Sequence, residues 1–476
     1  MAACLLAFAA VAATAAEQVE APTAPPRAAL GLIVKLRDAP QADHQRWARL
    51  FQEAGVPAQR GRRVGHAARR VDFGRPLGAD EAGQLAQRLR AHPDVVWAEP
   101  NTLEPRLDAS AEPLYGSQWW LHTASGTNTN ILPDRRRGVP GFASAWAIHT
   151  GAAAAIVAVL DTGSTAHPDL AGRWLPGRDF VSTVEYAGDG DGRDDDPSDP
   201  GDGVRESERR ANPALFQSCA PEPSTWHGTR IAGLIAASSD NGQGVAGLQW
   251  AGRILPVRGA GKCGALLEDI FDGMRWAAGL PVDGAPPNPN PARIVNISFG
   301  GSAPCSPAYQ EVIDELRAAG TLVVAAAGNR SGSVSRPASC ERVIGVAALN
   351  RDGFKATYSS FGARVAIATV GGDPSDIGAW GPWLGDDGLL TTDNNGLYAP
   401  GAGVYGPVVG TSFAAPIVAG IASLMLSVNP SLTVDQLADG LRRSARPHVV
   451  SSRIGWCSAQ NNGRCICSTA TCGAGI

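Results

Sequence analysis

Long apolar runs and an excess of charge of one sign are both missing from this sequence of 476 residues. Beyond the N-terminus no apolar run reaches about 18 residues, which argues against a segment that spans a membrane. The formal net charge is only -4, so the charge balance gives no indication of nucleic-acid binding. Internal repeats are also missing. The length allows one large domain plus a smaller one.

The cysteine-rich C-terminus, CSAQNNGRCICSTATC, contains no histidine and matches no common spacing of zinc ligands. Disulfide bonds are therefore favoured over a metal cluster. Nine cysteines are present, and Cys4 lies in the apolar leader. The even number that remains is typical of disulfides formed in an oxidising compartment. These eight residues are Cys219, Cys263, Cys305, Cys340, Cys457, Cys465, Cys467 and Cys472.

The first segment, MAACLLAFAAVAATAAEQ, lacks the basic residues that usually begin a secretory signal. It is nevertheless apolar and ends in small residues suited to signal peptidase. We predict a signal peptide over residues 1–16 and a proline-rich linker over residues 17–30. The protein is therefore expected outside the cytoplasm, either extracellular or periplasmic.

Two patterns of predicted secondary structure follow along the chain. Residues 31–105 predict strand, helix, strand, helix and strand, which is a small α+β domain. In residues 106–476, short apolar runs such as AAIVAVLDTG and TLVVAAAGN alternate with helical patterns. Runs that are apolar on both faces are typical of a parallel sheet. The larger domain is thus predicted to be an α/β fold with a doubly wound, mainly parallel sheet. In such a fold the functional residues lie at the carboxyl ends of the strands.

Four polar residues fall at predicted strand ends or helix starts: Asp161, His227, Asn329 and Ser412. A serine hydroxyl becomes nucleophilic when a neighbouring base takes its proton, and neutral imidazole can be that base near pH 7. A buried carboxylate can orient the imidazole. An asparagine amide can donate to the oxyanion that forms on an attacked carbonyl.

Each of these residues also has a simpler interpretation. An aspartate before Thr-Gly and an asparagine after glycine are usually turn residues. A histidine before a helix is usually a capping or surface residue. A serine after Gly-Thr is most often an N-cap. Their joint occurrence in the order Asp, His, Ser, with matching flanks, favours the catalytic interpretation.

The segments AVLDTGSTAHPDL, HGTRIAG, AAAGN and GTSFAAPIVAG resemble, in this order, the four signature segments of the subtilisin-like serine proteases, the subtilase family. The chain is most similar to the secreted bacterial type with an inhibitory propeptide. The stretch PLYGSQWWL resembles the start of the mature domain, and IVKL and VVWAEPN resemble the propeptide. The resemblance covers nearly everything from about Leu114 to Ile476, with the small N-terminal domain as propeptide.

This resemblance implies a serine endopeptidase that hydrolyses peptide bonds through an acyl-enzyme. Ser412 is the implied nucleophile, His227 the general base and acid, Asp161 the orienting carboxylate and Asn329 the oxyanion donor. The implied partners are protein or peptide substrates and the chain's own propeptide, as an inhibitor whose end near residues 105–112 lies in the cleft until it is cut. A monomer is expected.

The resemblance also implies two edges that hold the substrate as an added strand. One edge is formed by Ser298, Phe299 and Gly300, and the facing edge lies around Gly264. The implied walls of the pocket for the P1 side chain are Ala325, Ala326 and Ala327. Arg336 is expected close to the floor of that pocket.

Several positions depart from the usual pattern of the family. Arg230 and Ile231 follow HGT, and Val409, Phe413 and Ile417 differ in the serine segment. None of them replaces a chemical group, so the departures bear on the shape of the subsites. The chain also stops at CGAGI, where secreted relatives usually continue, so a truncated C-terminus is expected.

Calcium is the expected cofactor, in a structural role, and no catalytic metal is expected. The segment DGDGRDDDPSDPGDG, residues 189–203, packs carboxylates among glycines, although it lacks the glutamate of an EF-hand. The alternative is a solvated acidic loop. The candidate ligands are Asp189, Asp191, Asp194, Asp196, Asp199 and Asp202. In addition, Asp169 and Asn241 resemble another calcium site of the family.

With this family in view, we expect Cys219 to pair with Cys263, and Cys305 with Cys340. At the C-terminus we expect the pairs Cys457 with Cys465 and Cys467 with Cys472. The spacing of the cysteines alone does not fix this connectivity.

Two other function classes are weighed against a peptidase. A non-catalytic peptide-binding relative is disfavoured because all four catalytic groups are present, and comparison with Ser412→Ala would decide. A lipase or esterase would carry its serine in a G-x-S-x-G turn. Ser412 instead has Gly410 two positions before it and Ala414 two after. Turnover of esters without turnover of peptides would support the esterase.

Overall fold

The computed structural model describes the residue ranges 29–37, 44–56, 61–64, 68–102, 112–124, 136–375 and 385–476. The predicted signal peptide, most of the predicted linker and the predicted processing segment up to residue 111 lie outside these ranges. The chain divides into two compact units, residues 1–106 and 107–476. Each unit is described separately.

The N-terminal unit is a four-stranded antiparallel sheet with two helices. Its elements are β1 (Ala29–Leu36), α1 (His44–Glu53), β2 (Gly61–Val64), β3 (Ala68–Leu77), α2 (Ala79–Arg90) and β4 (Val95–Thr102). The strand order is β2-β3-β1-β4, and β1 pairs antiparallel with both β3 and β4. Buried side chains of the sheet and of both helices, among them Leu32, Trp47 and Leu85, form a separate core.

This unit is the small α+β fold that its sequence predicts, with two differences. Between the helices the pattern predicts one strand, whereas the structure has two strands, β2 and β3, that pair antiparallel. Strand β1 begins at Ala29, inside the segment predicted as linker. Ala29 and Leu32 are fully buried, so burial extends the strand in the N-terminal direction.

The larger unit contains nine strands and ten helices among its described residues. The strands are β5 (Ile156–Asp161), β6 (Arg178–Asp179), β7 (Arg253–Arg258), β8 (Ile294–Ile297), β9 (Leu322–Ala326), β10 (Ile344–Leu349), β11 (Ile367–Val370), β12 (Leu389–Asn394) and β13 (Gly403–Val408). The helices are α3 (Phe142–Trp146), α4 (Val184–Ala187), α5 (Glu206–Ala211), α6 (Pro213–Phe216), α7 (His227–Ala236), α8 (Leu267–Ala277), α9 (Pro307–Ala318), α10 (Thr411–Val428), α11 (Val434–Ser444) and α12 (Thr469–Cys472). Three short 3₁₀ helices lie at Tyr115–Ser117, Trp119–Leu121 and Pro168–Leu170.

Seven strands form one sheet in the order β11-β10-β9-β8-β5-β7-β6. Every pair in this sheet is parallel. Strands β12 and β13 form a separate antiparallel pair. Strands β5, β8 and β9 are neighbours, so the side chains that follow them come close together at one edge.

The large sheet is covered on both faces, as a doubly wound fold requires. Along β5, Val157 and Val159 face a core that includes α7 and α10. Ala158 and Leu160 face a second core that includes α8 and α9. Because successive strand residues point to opposite faces, the continuous apolar run of β5 is explained by burial on both sides. The predicted fold class is confirmed.

Helix α10 is long and apolar enough, by length and composition alone, to cross a membrane. However, 72% of its 18 residues are buried inside the protein. Serines interrupt its sequence, so it does not stand out as an unbroken apolar run. The burial matches the core helix of a globular domain.

Candidate active site

An imidazole and a buried carboxylate meet at the carboxyl end of the sheet. Asp161 is the last residue of β5 and is fully buried. Its Oδ1 lies 2.7 Å from Nδ1 of His227, the first residue of α7. Because a carboxylate only accepts hydrogen bonds, Nδ1 carries the hydrogen and Nε2 is left as a base.

The close approach of two backbone segments makes this contact possible. A Cβ atom on Gly228 would lie 2.2 Å from the carbonyl oxygen of Gly163, so only glycine lets α7 begin beside the turn after β5. Thr162 joins the same segments, since its Oγ1 accepts from the Gly228 amide at 3.1 Å and donates to Asp199 at 2.7 Å. Neither Thr162 nor Gly228 was predicted to take part in the site.

The electrostatic surroundings favour a protonated imidazole. Burial is the largest effect and acts to lower the pKa of His227. Attraction to Asp161, the hydrogen bond between them and the charge of Asp202 outweigh it, so the pKa is raised above its ordinary value. Arg230 acts in the opposite direction. His227 is therefore tuned to hold a proton once it has taken one.

Ser412 lies in the first turn of α10, one residue after the helix start, and not at the N-cap position. The N-cap is Gly410, whose φ of 149° favours glycine. The Ser412 hydroxyl donates to the carbonyl of Ser298 at 2.8 Å, and the Ser298 hydroxyl donates to the carbonyl of Ser412 at 2.7 Å. The hydroxyl must leave the Ser298 carbonyl before it can donate to Nε2 of His227.

Asn329 lies three residues beyond β9, and its side chain is held by a single neighbour. Its Oδ1 accepts from the amide of Thr411 at 2.9 Å and from Oγ1 of Thr411 at 2.8 Å. With the oxygen fixed in this way, Nδ2 stays available as a donor. Thr411 is fully buried, and its role was missed by the sequence analysis, although it stands directly before the serine.

These groups line one cleft of about 610 Å³. Asp161, His227, Asn329 and Ser412 all belong to its lining. The predicted substrate-binding residues Ser298, Phe299, Gly300 and Gly264 line the same cleft. The larger domain therefore gathers the predicted catalytic residues and both predicted edges at one place.

The three predicted pocket alanines differ in their surroundings. Ala326 lines the cleft, whereas Ala325 and Ala327 are fully buried in two separate cores. Arg336 is also absent from the lining, and its neighbour Ser335 is present instead. The Arg336 guanidinium packs over the ring of Tyr309 at 5.5 Å, and the Arg336 amide donates to the carbonyl of Gly301 at 3.0 Å.

The unusual neighbours of the signature segments have structural roles. The guanidinium of Arg230 binds Asp393 through two hydrogen bonds of 2.7 and 2.9 Å. The buried ring of Phe413 packs against the imidazole of His227, with ring centroids 5.3 Å apart. Ile231 and Ile417 are fully buried in the core. Phe413 thus limits the positions that the His227 imidazole can take, and Val409 is partly exposed.

A cation in the cleft was also missed by the sequence analysis. Arg330 follows Asn329 directly, is exposed and lines the cleft. On another part of the lining lie Asp202 and Glu222. The cleft therefore offers charges of both signs to a bound peptide.

The four expected cysteine pairs are all formed: Cys219–Cys263, Cys305–Cys340, Cys457–Cys465 and Cys467–Cys472. Cys219 and Cys263 both line the cleft beside Gly264. This disulfide joins the segment before His227 to the predicted facing edge.

The acidic stretch does not converge on one point. Asp189 pairs with Arg258, Asp199 accepts from Thr162, and Asp202 accepts from Thr225. Oxygens of Asp189, Asp194 and Asp196 also accept from amides within the stretch. No three of the six predicted carboxylates, all of which are described, bring oxygens within 4.8 Å of one another. The set as predicted, including Asp191, therefore does not fit a single calcium ion.

At the second predicted calcium position, two buried carboxylates bind the loop between Asn241 and Val245. Asp169 is fully buried, and its oxygens accept from Asn241 at 3.1 Å and from the amide of Val245 at 2.9 Å. Glu112, which was not predicted, is buried beside the same loop and accepts from the amides of Asn241 and Gln243 at 2.9 Å. Burial raises the pKa of Glu112, and the charge of Asp169 adds to this effect. Carboxylates are ligands that calcium prefers, but Asn241 turns its Nδ2 toward Asp169, and its Oδ1 accepts from the amide of Gln243 at 2.9 Å.

Comparison with known proteins shows which family the chain resembles. The model of the subtilase family matches residues 152–457. An extracellular basic protease from Dichelobacter nodosus is 37% identical over 400 residues, which cover 83% of this chain and 61% of that protein. An extracellular protease from Xanthomonas campestris pv. campestris is 36% identical over 417 residues, which cover 85% of this chain and 66% of that protein. The chain thus spans less than two thirds of the length of these two relatives.

A solved structure of a protease from Pseudoalteromonas arctica is 37% identical to the chain and superimposes with a TM-score of 0.62. The match covers 77% of this chain and 96% of that chain.

Proposed function

The chain belongs to the subtilase family, and on this basis we propose that it is a secreted serine endopeptidase, monomeric and made as a self-processing zymogen. The observation that carries the proposal is the common cleft of Asp161, His227, Asn329 and Ser412. The names of the extracellular relatives support secretion to the extracellular space or periplasm.

In the first half of the proposed reaction, Oγ of Ser412 attacks the carbonyl carbon of the scissile peptide bond. As the new C–O bond forms, the hydroxyl proton passes to Nε2 of His227. The resulting imidazolium is stabilised by the carboxylate of Asp161, which already lies 2.7 Å from Nδ1. His227 then gives this proton to the leaving amine, the C–N bond breaks and an ester of Ser412 remains.

The negative charge that develops on the substrate oxygen requires donors that are already in place. Nδ2 of Asn329 is one, because Thr411 holds its Oδ1 and leaves the NH₂ group free. The backbone amide of Ser412 is the other, since the first amides of a helix have no partner within the helix. The positive end of the α10 dipole adds to the stabilisation.

In the second half, water takes the place of the amine. His227 accepts a proton from the water as its oxygen attacks the ester carbon, and the second tetrahedral intermediate uses the same donors. When the C–O bond to Ser412 breaks, His227 returns the proton to Oγ. The products are a carboxylic acid and the unchanged enzyme.

The substrate peptide is proposed to bind as an extended strand between two edges of the cleft. Residues 298–300 follow β8 and line the cleft, as does Gly264. Backbone pairing of this kind gives affinity with little demand on sequence. Small residues at Ala326 and Gly328 leave room for a bulky apolar P1 side chain beside the catalytic groups.

The N-terminal domain, predicted over residues 31–105, is proposed to act as an intramolecular inhibitor until it is removed. Its separate core supports an independently folded unit. A cut within residues 105–111 would keep Glu112 in the mature chain, where it accepts from the amides of Asn241 and Gln243. The site of the cut lies outside the described residues.

The test compares the unchanged chain with Ser412→Ala. The unchanged protein is expected to hydrolyse unfolded casein, to be labelled by a serine-directed phosphonate and to remove its N-terminal domain, whereas the variant should do none of these. Ser444→Ala, at the exposed end of α11, is the matched control. Intact Ser412 without casein hydrolysis or labelling would refute the proposal, and turnover of esters alone would indicate an esterase.

A structural calcium ion is proposed at Asp169, Asn241 and Glu112. The ion would neutralise the two buried carboxylates and fix the loop between Asn241 and Val245. A ligand at about 100 times its Kd stabilises the folded state by roughly 2.7 kcal/mol. The Tm of the unchanged protein should therefore rise with calcium over EGTA, whereas the Tm of Asp169→Ala should not respond. An equal response of both proteins would contradict this site.

A further inference from the structure

One cation that the proposed mechanism does not use is completely enclosed. Lys355 has no exposed surface, which is rare because the charge of a lysine is costly to bury. Burial lowers its pKa to about 7, against the attraction of Asp373. Within the described part of the chain no carboxylate forms an ion pair with Lys355, and Asp373 pairs with Arg464 instead.

The ammonium group instead binds backbone carbonyls of one loop. Nζ donates to the carbonyls of Ala356 and Ser359 at 2.8 Å each, and to that of Thr357 at 3.4 Å. An ammonium group has three donors, so all of them are used within four residues of Lys355. The loop 356–360 therefore folds around this cation.

Hydrogen bonds attach the segment that contains Asn329 to the same loop. The amide of Ser331 donates to the carbonyl of Tyr358 at 2.8 Å, and its hydroxyl donates to the carbonyl of Thr357 at 2.6 Å. On the other side of Asn329, the carbonyl of Gly328 accepts from the amide of Ser360 at 2.8 Å. Both flanks of Asn329 are thus attached to the loop that Lys355 organises.

The segment needs this support because its backbone is strained. Ser331 has φ 52°, in the left-handed region that residues other than glycine rarely adopt. Its two bonds to the loop compensate for that conformation. The Thr357 carbonyl accepts from both Ser331 and Lys355, so a single atom connects the cation to the segment.

From these contacts we propose that Lys355 is a positioning residue for the oxyanion donor: it holds loop 356–360 in the conformation that places Asn329 in the cleft. It touches neither substrate nor reacting atoms. The inference rests on the proposed peptidase function and extends it to a residue that acts through Asn329.

The experiment is a double-mutant cycle between Lys355→Met and Asn329→Ala, with steady-state kinetics on one peptide substrate. Methionine keeps the length of the side chain and removes its donors. In the otherwise unchanged enzyme, Lys355→Met should lower kcat about 10- to 100-fold, a part of the roughly 10²- to 10³-fold effect of losing such a donor. KM should change less than about twofold. In the Asn329→Ala background, the further loss of kcat should be less than about twofold, because the positioned group is gone.

A purely structural role would give a different result. An equal loss of kcat in both backgrounds, or a change confined to KM, would overturn the proposal. Ser331→Ala removes only the hydroxyl link to Thr357 and should also lose its effect in the Asn329→Ala background. It provides the same test if Lys355→Met does not fold.

Arg293→Met is the matched control. Arg293 also donates to three backbone carbonyls, those of Gly320, Pro430 and Leu432. It precedes β8, at the end of the sheet opposite the cleft. Its loss should lower the Tm and leave kcat unchanged. Failure of the unchanged enzyme to cleave any peptide would refute the proposed function, whereas additive effects in an active enzyme would refute only the role of Lys355.

Discussion

Substitution of Thr411 by valine tests the orientation of the oxyanion donor with the smallest change of shape. Valine replaces the hydroxyl by a methyl group and keeps the backbone amide. The hydroxyl donates to Oδ1 of Asn329 at 2.8 Å and accepts from the amide of Gly328 at 3.0 Å. Both bonds are lost together, whereas the bond from the Thr411 amide to Asn329 remains.

The magnitude follows from these contacts. A lost hydrogen bond costs about 1 kcal/mol, and the amide of Gly328 is left without its partner at a further cost of about 1 kcal/mol. We therefore expect the free energy of unfolding to fall by about 2 kcal/mol. If misorientation of Asn329 removes about 1 kcal/mol of stabilisation from the transition state, kcat falls about fivefold. KM should change little, because the ground-state carbonyl is not charged.

The measurements are kcat and KM on a single peptide substrate, together with urea unfolding of a catalytically silent Ser412→Ala background. Thr411→Ser is the matched control, because it keeps the hydroxyl and loses only the methyl group. The serine variant should keep kcat within about twofold of the unchanged enzyme. If it lost as much kcat as Thr411→Val, packing and not hydrogen bonding would explain the effect, and the assignment would be refuted.

Three further predictions concern the cleft. Asp202→Asn should move the acid limb of the kcat/KM profile to lower pH. Asp202 helps to raise the pKa of His227, and only the neutral imidazole is active. A shift to higher pH would contradict this prediction. Arg330→Glu should lower kcat/KM for peptides with an acidic side chain near the scissile bond by about fivefold relative to basic ones, and library profiling that shows no change would exclude Arg330 from substrate contact. Replacing Cys219 and Cys263 by serine opens a loop of 44 residues; the free energy of unfolding should fall by about 4 kcal/mol, and a Tm that does not move would refute a stabilising role.

Much of the fold could be predicted because burial leaves a clear pattern. The apolar run that ends at Asp161 is a central strand, and Asp161 is its last residue. The helix starts are less exact, since His227 and Ser412 lie inside their helices and not before them. Helix α10 starts directly after its N-cap residue Gly410, which has φ 149°. A sequence does not show which glycine takes such a conformation.

The partners of the charged side chains were harder to predict than the fold. The composition of the acidic stretch, together with the family resemblance, suggested calcium. The carboxylates of this stretch accept instead from hydroxyls and amides. Asp189 pairs with Arg258 at the end of β7, which also pairs with Asp179, outside the stretch. A pairing over 69 residues leaves no local signal. The calcium ion proposed at Asp169 and Glu112 would stabilise two buried carboxylates, because an unpaired charge is costly to bury.

The orientation of the catalytic groups is the part that motifs do not contain. Each signature segment supplies a chemical group, but misplacement by about 1 Å can cost roughly a hundredfold in rate. Here Asn329 is oriented by Thr411, 82 residues away, and its segment is attached to Thr357, 26 residues from Ser331. The contacts run through hydroxyls and backbone carbonyls, which almost any sequence can offer. Chemical identity can therefore be inferred from short segments, whereas catalytic competence depends on long-range hydrogen bonds that only the folded chain reveals.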